Sequence, residues 1–211
     1  MAKQYGGLLE DDEAQNLIDQ IGRRLVERSP AGQSEYKFEF HVLADPRQVN
    51  AFALPGGQVF ITAALLHRLR TRGEIAGVLA HEIGHVVARH GAQQLASAQL
   101  TRGLTSAAII ANPEYNTAAM ASLIGQVVNL KYGRGDELES DRLGVQFTVD
   151  ADYDPRALLG VMQVLQEEAD NGPAPPEFFS THPTSARRIQ EIQAAIARVL
   201  PRNGSSAELT P

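Results

Sequence analysis

Five consecutive residues, His81-Glu82-Ile83-Gly84-His85, spell H-E-x-x-H. On a helix, residues four apart lie one turn above each other on the same face. His81 and His85 can then offer imidazole nitrogens to one ion, with Glu82 beside it. Two neutral nitrogen donors and an adjacent carboxylate suit a catalytic zinc and its general base. The flanks read as helix. Ile75, Val78, Leu79, Ile83, Val86 and Val87 recur at helical spacing, and Thr71 with Glu74 has the spacing of a capping box. The helix is therefore expected to begin near Arg72.

A third ligand has to come from elsewhere. The chain has no cysteine, which excludes a thiolate zinc site, a disulfide framework and a cysteine nucleophile. A metzincin pattern needs glycine three residues after His85 and histidine six after it. Ala88 and Gly91 stand there instead. His90 is out of that register and reads as a helix-end histidine. The other common solution is a carboxylate from a second helix, and Glu137-Leu138-Glu139-Ser140-Asp141 supplies an E-x-x-x-D pattern. Glu137 would complete the metal site. Asp141, on the same face, would accept a hydrogen bond from the far nitrogen of a ligand histidine and so fix its tautomer. Glu139 points away from that face and is the weaker candidate. Taken alone, such an acidic stretch is an ordinary helix start favoured by the helix dipole.

These residues need a scaffold. Leu17, Ile18, Ile21, Leu25 and Val26 mark an amphipathic first helix, ended by Ser29-Pro30-Ala31-Gly32. Tyr36, Phe38, Phe40 and Val42 alternate with polar residues, as in a half-buried strand, with His41 on its other face. Two short apolar strands flank a Pro55-Gly56-Gly57 turn. The first contains Asn50, Ala51, Phe52 and Ala53, and is expected to bind an extended peptide along an open edge. A short helix over 63–70 carries an exposed His67 and leads into the H-E-x-x-H helix. Helices are also expected from Gly91, over 136–149, after an Asp154-Pro155 start, and after Pro183-Thr184-Ser185. The apolar stretch 104–110 reads as core packing rather than a lid. The expected fold class is α+β, a small mostly antiparallel sheet packed on several helices. One domain is expected over 1–200, with a disordered tail at 201–211.

Bulk properties narrow the function further. The 211 residues are 43% hydrophobic and 21% charged, ordinary values for a globular chain. A net charge of -6 gives no electrostatic case for nucleic acid as a partner. The first seven residues lack an apolar signal-peptide core, and the longest apolar run, 118–130, is too short and too polar to span a membrane.

The order of these motifs resembles that of the HtpX-like and BepA-like zinc metallopeptidases, relatives of the CAAX-prenyl endopeptidases and of the gluzincins. The matching pieces are 50–57, the H-E-x-x-H at His81, the block 132–141 ending in E-x-x-x-D, 151–155, and Ser180-Thr181-His182-Pro183 with Arg188. Tyr132-Gly133-Arg134 and Ser140 depart from the usual Tyr-Ser-Arg and alanine, which leaves the ligands unchanged. The BepA-like repeat domain has no counterpart in these residues, which weakens the case for recruitment to an outer-membrane assembly machine. The resemblance implies a zincin-like metalloprotease domain holding one zinc through His81, His85 and Glu137, with Glu82 as base. It implies an endopeptidase acting on misfolded or envelope proteins in a periplasmic or envelope-associated setting. It also implies that His182 lies near the metal and can hold the site shut. His182 and Arg188 are alternatives for an oxyanion donor in the same reaction. The rival reading is a latent, chaperone-like zinc protein, against which the intact Glu82 argues. A structural zinc module is disfavoured, since such sites usually have four protein ligands and favour cysteine.

Overall fold

The computed structural model describes residues 5–101, 125–126, 131–172, 175–200 and 210. The stretch 104–110, nearly all of the run 118–130 and the tail other than Thr210 lie outside the described residues. Helix α1 (Asp12–Arg28) is opened by Asp11, whose carboxylate accepts from the N–H groups of Glu13 and Ala14 at 3.0 and 3.1 Å. That cap satisfies donors the first turn leaves unpaired. The helix buries Ile18, Ile21 and Leu25, and a 3-10 turn at Pro30–Gln33 ends it.

Three strands follow: β1 (Glu39–Leu43), β2 (Ala51–Ala53) and β3 (Gln58–Thr62). Their order is β1-β3-β2, with β1 parallel and β2 antiparallel to β3. The sheet is thus mixed, with one pair of each kind, where the sequence suggested mostly antiparallel pairing. Alternation along a strand reports which face is buried but not the direction of its neighbour. The β2–β3 turn closes through Gly57 N–H to Leu54 O at 3.0 Å. Gly57 sits at φ 103°, and a Cβ there would lie 2.8 Å from Lys37 O, so only glycine fits. Phe40, Val42, Ala51, Ala53, Val59 and Ile61 join the main core, which they share with α1 and the helices below. Leu43, Phe52 and Phe60 form a second cluster with Tyr5 on the opposite face.

Next come α2 (Ala63–Leu66) and the H-E-x-x-H helix, α3 (Arg72–Val87). The capping box is present: Thr71 Oγ1 accepts from Glu74 N–H at 3.1 Å, and Glu74 Oε2 accepts from Thr71 N–H at 3.3 Å. Every residue from Gly73 to Val86 is buried. A helix buried on all sides is the central helix of a domain, not a surface amphipath. It places His81, Glu82 and His85 where their polar atoms must find partners.

The remaining elements are α4 (His90–Thr101), α5 (Arg134–Asp150), α6 (Ala157–Asn171), α7 (Phe178–Thr181) and α8 (Ala186–Val199). Helix α5 runs closely along α3. A Cβ built on Gly84 would stand 3.1 Å from Ser140 O, and one on Gly144 would stand 3.3 Å from His81 N. Ser140 Oγ donates to His81 O at 2.5 Å. Small residues at these positions let the two backbones close, and closure carries Glu137 to the histidines. Helix α8 packs on α5, and its Ser185 cap accepts from Arg188 N–H at 3.3 Å. Helix α6 begins two residues later than Asp154-Pro155 suggested. A turn intervenes in which Asp154 Oδ1 accepts from Arg156 N–H at 2.9 Å. Thr210 is tied to the fold by backbone bonds to Asp152 and Asp154, each 3.0 Å. Among the described residues, no helix is long and apolar enough to cross a membrane.

Candidate active site

Helices α3 and α5 and the residue after α7 bring four donor atoms to one point. His81 Nε2 lies 3.1 Å from His85 Nε2 and 3.3 Å from His182 Nδ1. Glu137 Oε1 lies 3.4 Å from His85 Nε2 and 3.0 Å from His182 Nδ1, and its Oε2 lies 3.7 Å from His81 Nε2. All four side chains are buried. Bonds of about 2.0–2.1 Å to a tetrahedral zinc place neighbouring ligand atoms roughly 3.3 Å apart. The observed spacings of 3.0 to 3.7 Å centre on that edge. Three imidazole nitrogens and a carboxylate are also the donor set that zinc prefers. The residues fit the ion.

The orphaned atoms make the same case. Among the described residues, both fully buried carboxylate oxygens of Glu82 accept no hydrogen bond, and His182 Nε2 has no hydrogen-bond partner. These two groups face each other at 3.5 Å. A buried carboxylate left this way is costly unless a cation or a proton answers it. In the metal-free chain, burial pushes the Glu82 carboxyl up, against the opposing pull of His182 and His81. Burial drives His85 well below the usual imidazole range, leaving it neutral as a ligand must be. Burial would also raise Glu137, but His182, His85 and His81 outweigh it and keep the carboxylate ionised.

Around this set lies a ring of supporting contacts. Asp141 Oδ1 is 3.0 Å from His81 Nδ1, the nitrogen facing away from the site. Arg188, one of the two oxyanion-donor candidates, has its guanidinium against two carboxylates. Nε and Nη2 donate to the two oxygens of Asp141 at 2.7 Å each, and Nη1 lies 2.5 Å from Glu137 Oε2. With its nitrogens held by two carboxylates, it braces the ligand set from behind. His90, read as a helix-end histidine, is 3% exposed, and its Nδ1 lies 2.9 Å from His85 Nδ1. Tyr132 stacks on the His85 ring at 3.9 Å, and Phe178 stacks on His182 at 4.3 Å.

The segment that carries His182 is tied down at both ends. Phe178 N–H donates to Val49 O at 3.1 Å, just ahead of β2, and Tyr132 N–H donates to Thr181 O at 3.0 Å. The expected peptide-binding residues Asn50, Ala51, Phe52 and Ala53 are all buried. Among the described residues, β2 pairs only with β3. Asn50 itself serves the sheet, its N–H meeting Thr62 Oγ1 at 3.2 Å and its amide meeting Tyr5 Oη at 3.4 Å. The recess between Ala53, Pro55, His85 and Tyr132 measures about 10 Å³, room for about one water. The site is closed.

The chain is thus an α+β domain in which an H-E-x-x-H helix, a glutamate from a second helix and a buried carboxylate converge. Residues 12–196 match Peptidase family M48, and the chain belongs to that family. It is 30% identical to the beta-barrel assembly-enhancing protease of Yersinia pestis over 213 aligned positions, covering 95% of this chain and 43% of that protein. The Escherichia coli (strain K12) protein of the same name is 29% identical, with 95% and 42% covered. The mitochondrial metalloendopeptidase OMA1 of Schizosaccharomyces pombe is 32% identical over 178 positions, with 83% and 51% covered. The chain thus spans about half the length, or less, of these relatives.

Proposed function

We propose that this chain is a zinc-dependent endopeptidase domain whose active site rests in a closed form. The observation that carries the reading is the convergence of His81, His85, Glu137 and His182 beside the buried carboxylate of Glu82, which accepts no hydrogen bond among the described residues. One zinc per chain would be held by His81, His85 and Glu137, with His182 in the position a substrate needs. When bound, zinc polarises the peptide carbonyl and makes water a nucleophile near neutral pH. Glu82 accepts the proton of the attacking water on a carboxylate oxygen and delivers it to the leaving amide nitrogen. Its burial supports this, since a carboxylate whose pKa is raised by desolvation is the stronger base and takes up the water's proton more readily. His81 and Glu137 are oriented by Asp141 and Arg188. An extended peptide would pair with β2 once the segment carrying His182 has swung away.

His182 acts as a gate in this proposal. Catalytic zinc sites keep one position open, whereas four protein ligands close it. The closed geometry also favours a second reading, a latent domain that binds unfolded polypeptides without cleaving them. An envelope-associated setting, with misfolded or envelope proteins as substrates, is the setting this reading proposes; the relatives are named for beta-barrel assembly in bacteria and for mitochondria in yeast. The discriminating experiment is casein hydrolysis by the wild type and Glu82→Gln, with zinc content measured in parallel. The peptidase reading expects zinc retained in both and cleavage lost in the variant and in chelated wild type. Cleavage that survives removal of the metal, or survives Glu82→Gln, overturns it.

A further inference from the structure

The two α3 imidazoles are held from behind in different ways. His81 Nδ1 meets a carboxylate directly, Asp141 Oδ1 at 3.0 Å. His85 Nδ1 meets a second histidine, His90 Nδ1 at 2.9 Å, and His90 Nε2 lies 3.5 Å from Glu139 Oε2. The proton positions follow from the ligand role. An imidazole that gives its Nε2 lone pair to a cation carries its proton on Nδ1. The acceptor facing that proton is His90 Nδ1. His90 must then carry its own proton on Nε2, the nitrogen that faces Glu139.

The backbone is shaped to make this contact. On a continuous helix, five residues of about 100° each would turn His90 some 140° away from His85. Helix α3 ends at Val87 instead, and Arg89 adopts φ 63°, a left-handed conformation unusual for a residue with a side chain. Arg89 N–H closes on Val86 O at 3.0 Å, and the chain restarts as α4 with His90 folded back over the last turn of α3. Strained residues of this kind persist where the surrounding structure fixes them, often at functional sites.

We propose that His90 is a positioning residue for His85. Its Nδ1 accepts a hydrogen bond from His85 Nδ1–H, which fixes the tautomer and ring rotation that aim Nε2 at the metal, and its own Nε2–H points to Glu139. The proposal rests on the metal-site reading above.

The test is zinc affinity, measured by chelator competition for the wild type, His90→Phe, His90→Asn and Glu139→Ala. Phenylalanine fills the space but cannot accept a hydrogen bond, while the asparagine oxygen can. His90→Phe should bind zinc about 10–100-fold more weakly, the usual effect of removing such a partner, and His90→Asn should recover most of the loss. Glu139 has a 56% exposed side chain, so Glu139→Ala tests the chain of contacts without disturbing packing. It should weaken zinc binding in the same direction and by less. Equal affinities for the wild type, His90→Phe and Glu139→Ala overturn the proposal. So does a His90→Asn variant as weak as His90→Phe, which would make the effect one of packing alone. A wild type that takes up no zinc overturns this assignment together with the metal-site reading, which separates the two failures.

Discussion

Removing the Arg188 guanidinium should expose how the ligand set is held. In the folded chain Arg188 is 2% exposed and satisfies both oxygens of Asp141 at 2.7 Å, with a further contact to Glu137 Oε2 at 2.5 Å. Arg188→Met keeps most of the aliphatic stem and deletes the charge, so the loss is electrostatic rather than a cavity. Two buried carboxylates then lose their counter-charge. Breaking a buried pair from one side costs about 3–5 kcal/mol. For a chain of this size, that lowers the melting temperature by roughly 6–20 °C. The metal-free protein should show the full loss. With zinc bound, the ion balances Glu137 and only Asp141 is abandoned, so the loss should shrink. Thermal unfolding followed by circular dichroism, with chelator and with zinc, measures both. Adding Asp141→Asn should restore part of the stability, because the two changes share a partner. A loss below about 1 kcal/mol in the metal-free protein, or one unchanged by zinc, refutes the bracing role. Near-normal thermal stability with abolished turnover would return Arg188 to the oxyanion role the sequence suggested.

His182→Ala should raise endopeptidase activity on casein above the wild type if the histidine closes the site; a fall would mark it as a participant in turnover instead. Gly84→Val should cost about 1–3 kcal/mol and weaken zinc binding, because the added atoms push Ser140, and with it Glu137, away from α3. Acid unfolding of the metal-free protein should depend on Asp141. Burial pushes its carboxyl up, but Arg188 and His81 outweigh burial and hold it below its ordinary value. A depressed folded pKa gives stability that is complete above the unfolded value of about 3.9 and is lost as pH falls through the folded one. Asp141→Asn should therefore flatten the decline in stability below about pH 4, and an identical acid limb in both proteins would contradict the assignment.

The parts of the site that could be read in the sequence are those written at helical spacing. His81 and His85 lie four apart, as do Glu137 and Asp141, and the Thr71–Glu74 box set the start of α3 correctly. The contacts that escaped are those set by tertiary packing. The Asp141–Arg188 pair spans 47 residues with no local pattern to announce it. His90 was hidden because the left-handed turn at Arg89 resets the helical phase, and nothing in Arg89's identity signals that φ. Glu139 was correctly placed off the ligand face, yet that position is what puts it beside His90. The direction of β1 was hidden because Phe40 and Val42 would alternate in the same way in either orientation. The depth of α3 was legible in hindsight, since Ala76, Gly77, Ala80 and Gly84 leave it without a polar face.

The central claim is that these residues hold one zinc. Crystals of the zinc-loaded protein, with anomalous scattering recorded at the zinc edge, address it most directly. One peak per chain is expected among His81 Nε2, His85 Nε2 and Glu137, with His182 Nδ1 in the fourth position. No peak there, or a peak held by other residues while Glu137 stays apart, contradicts the account.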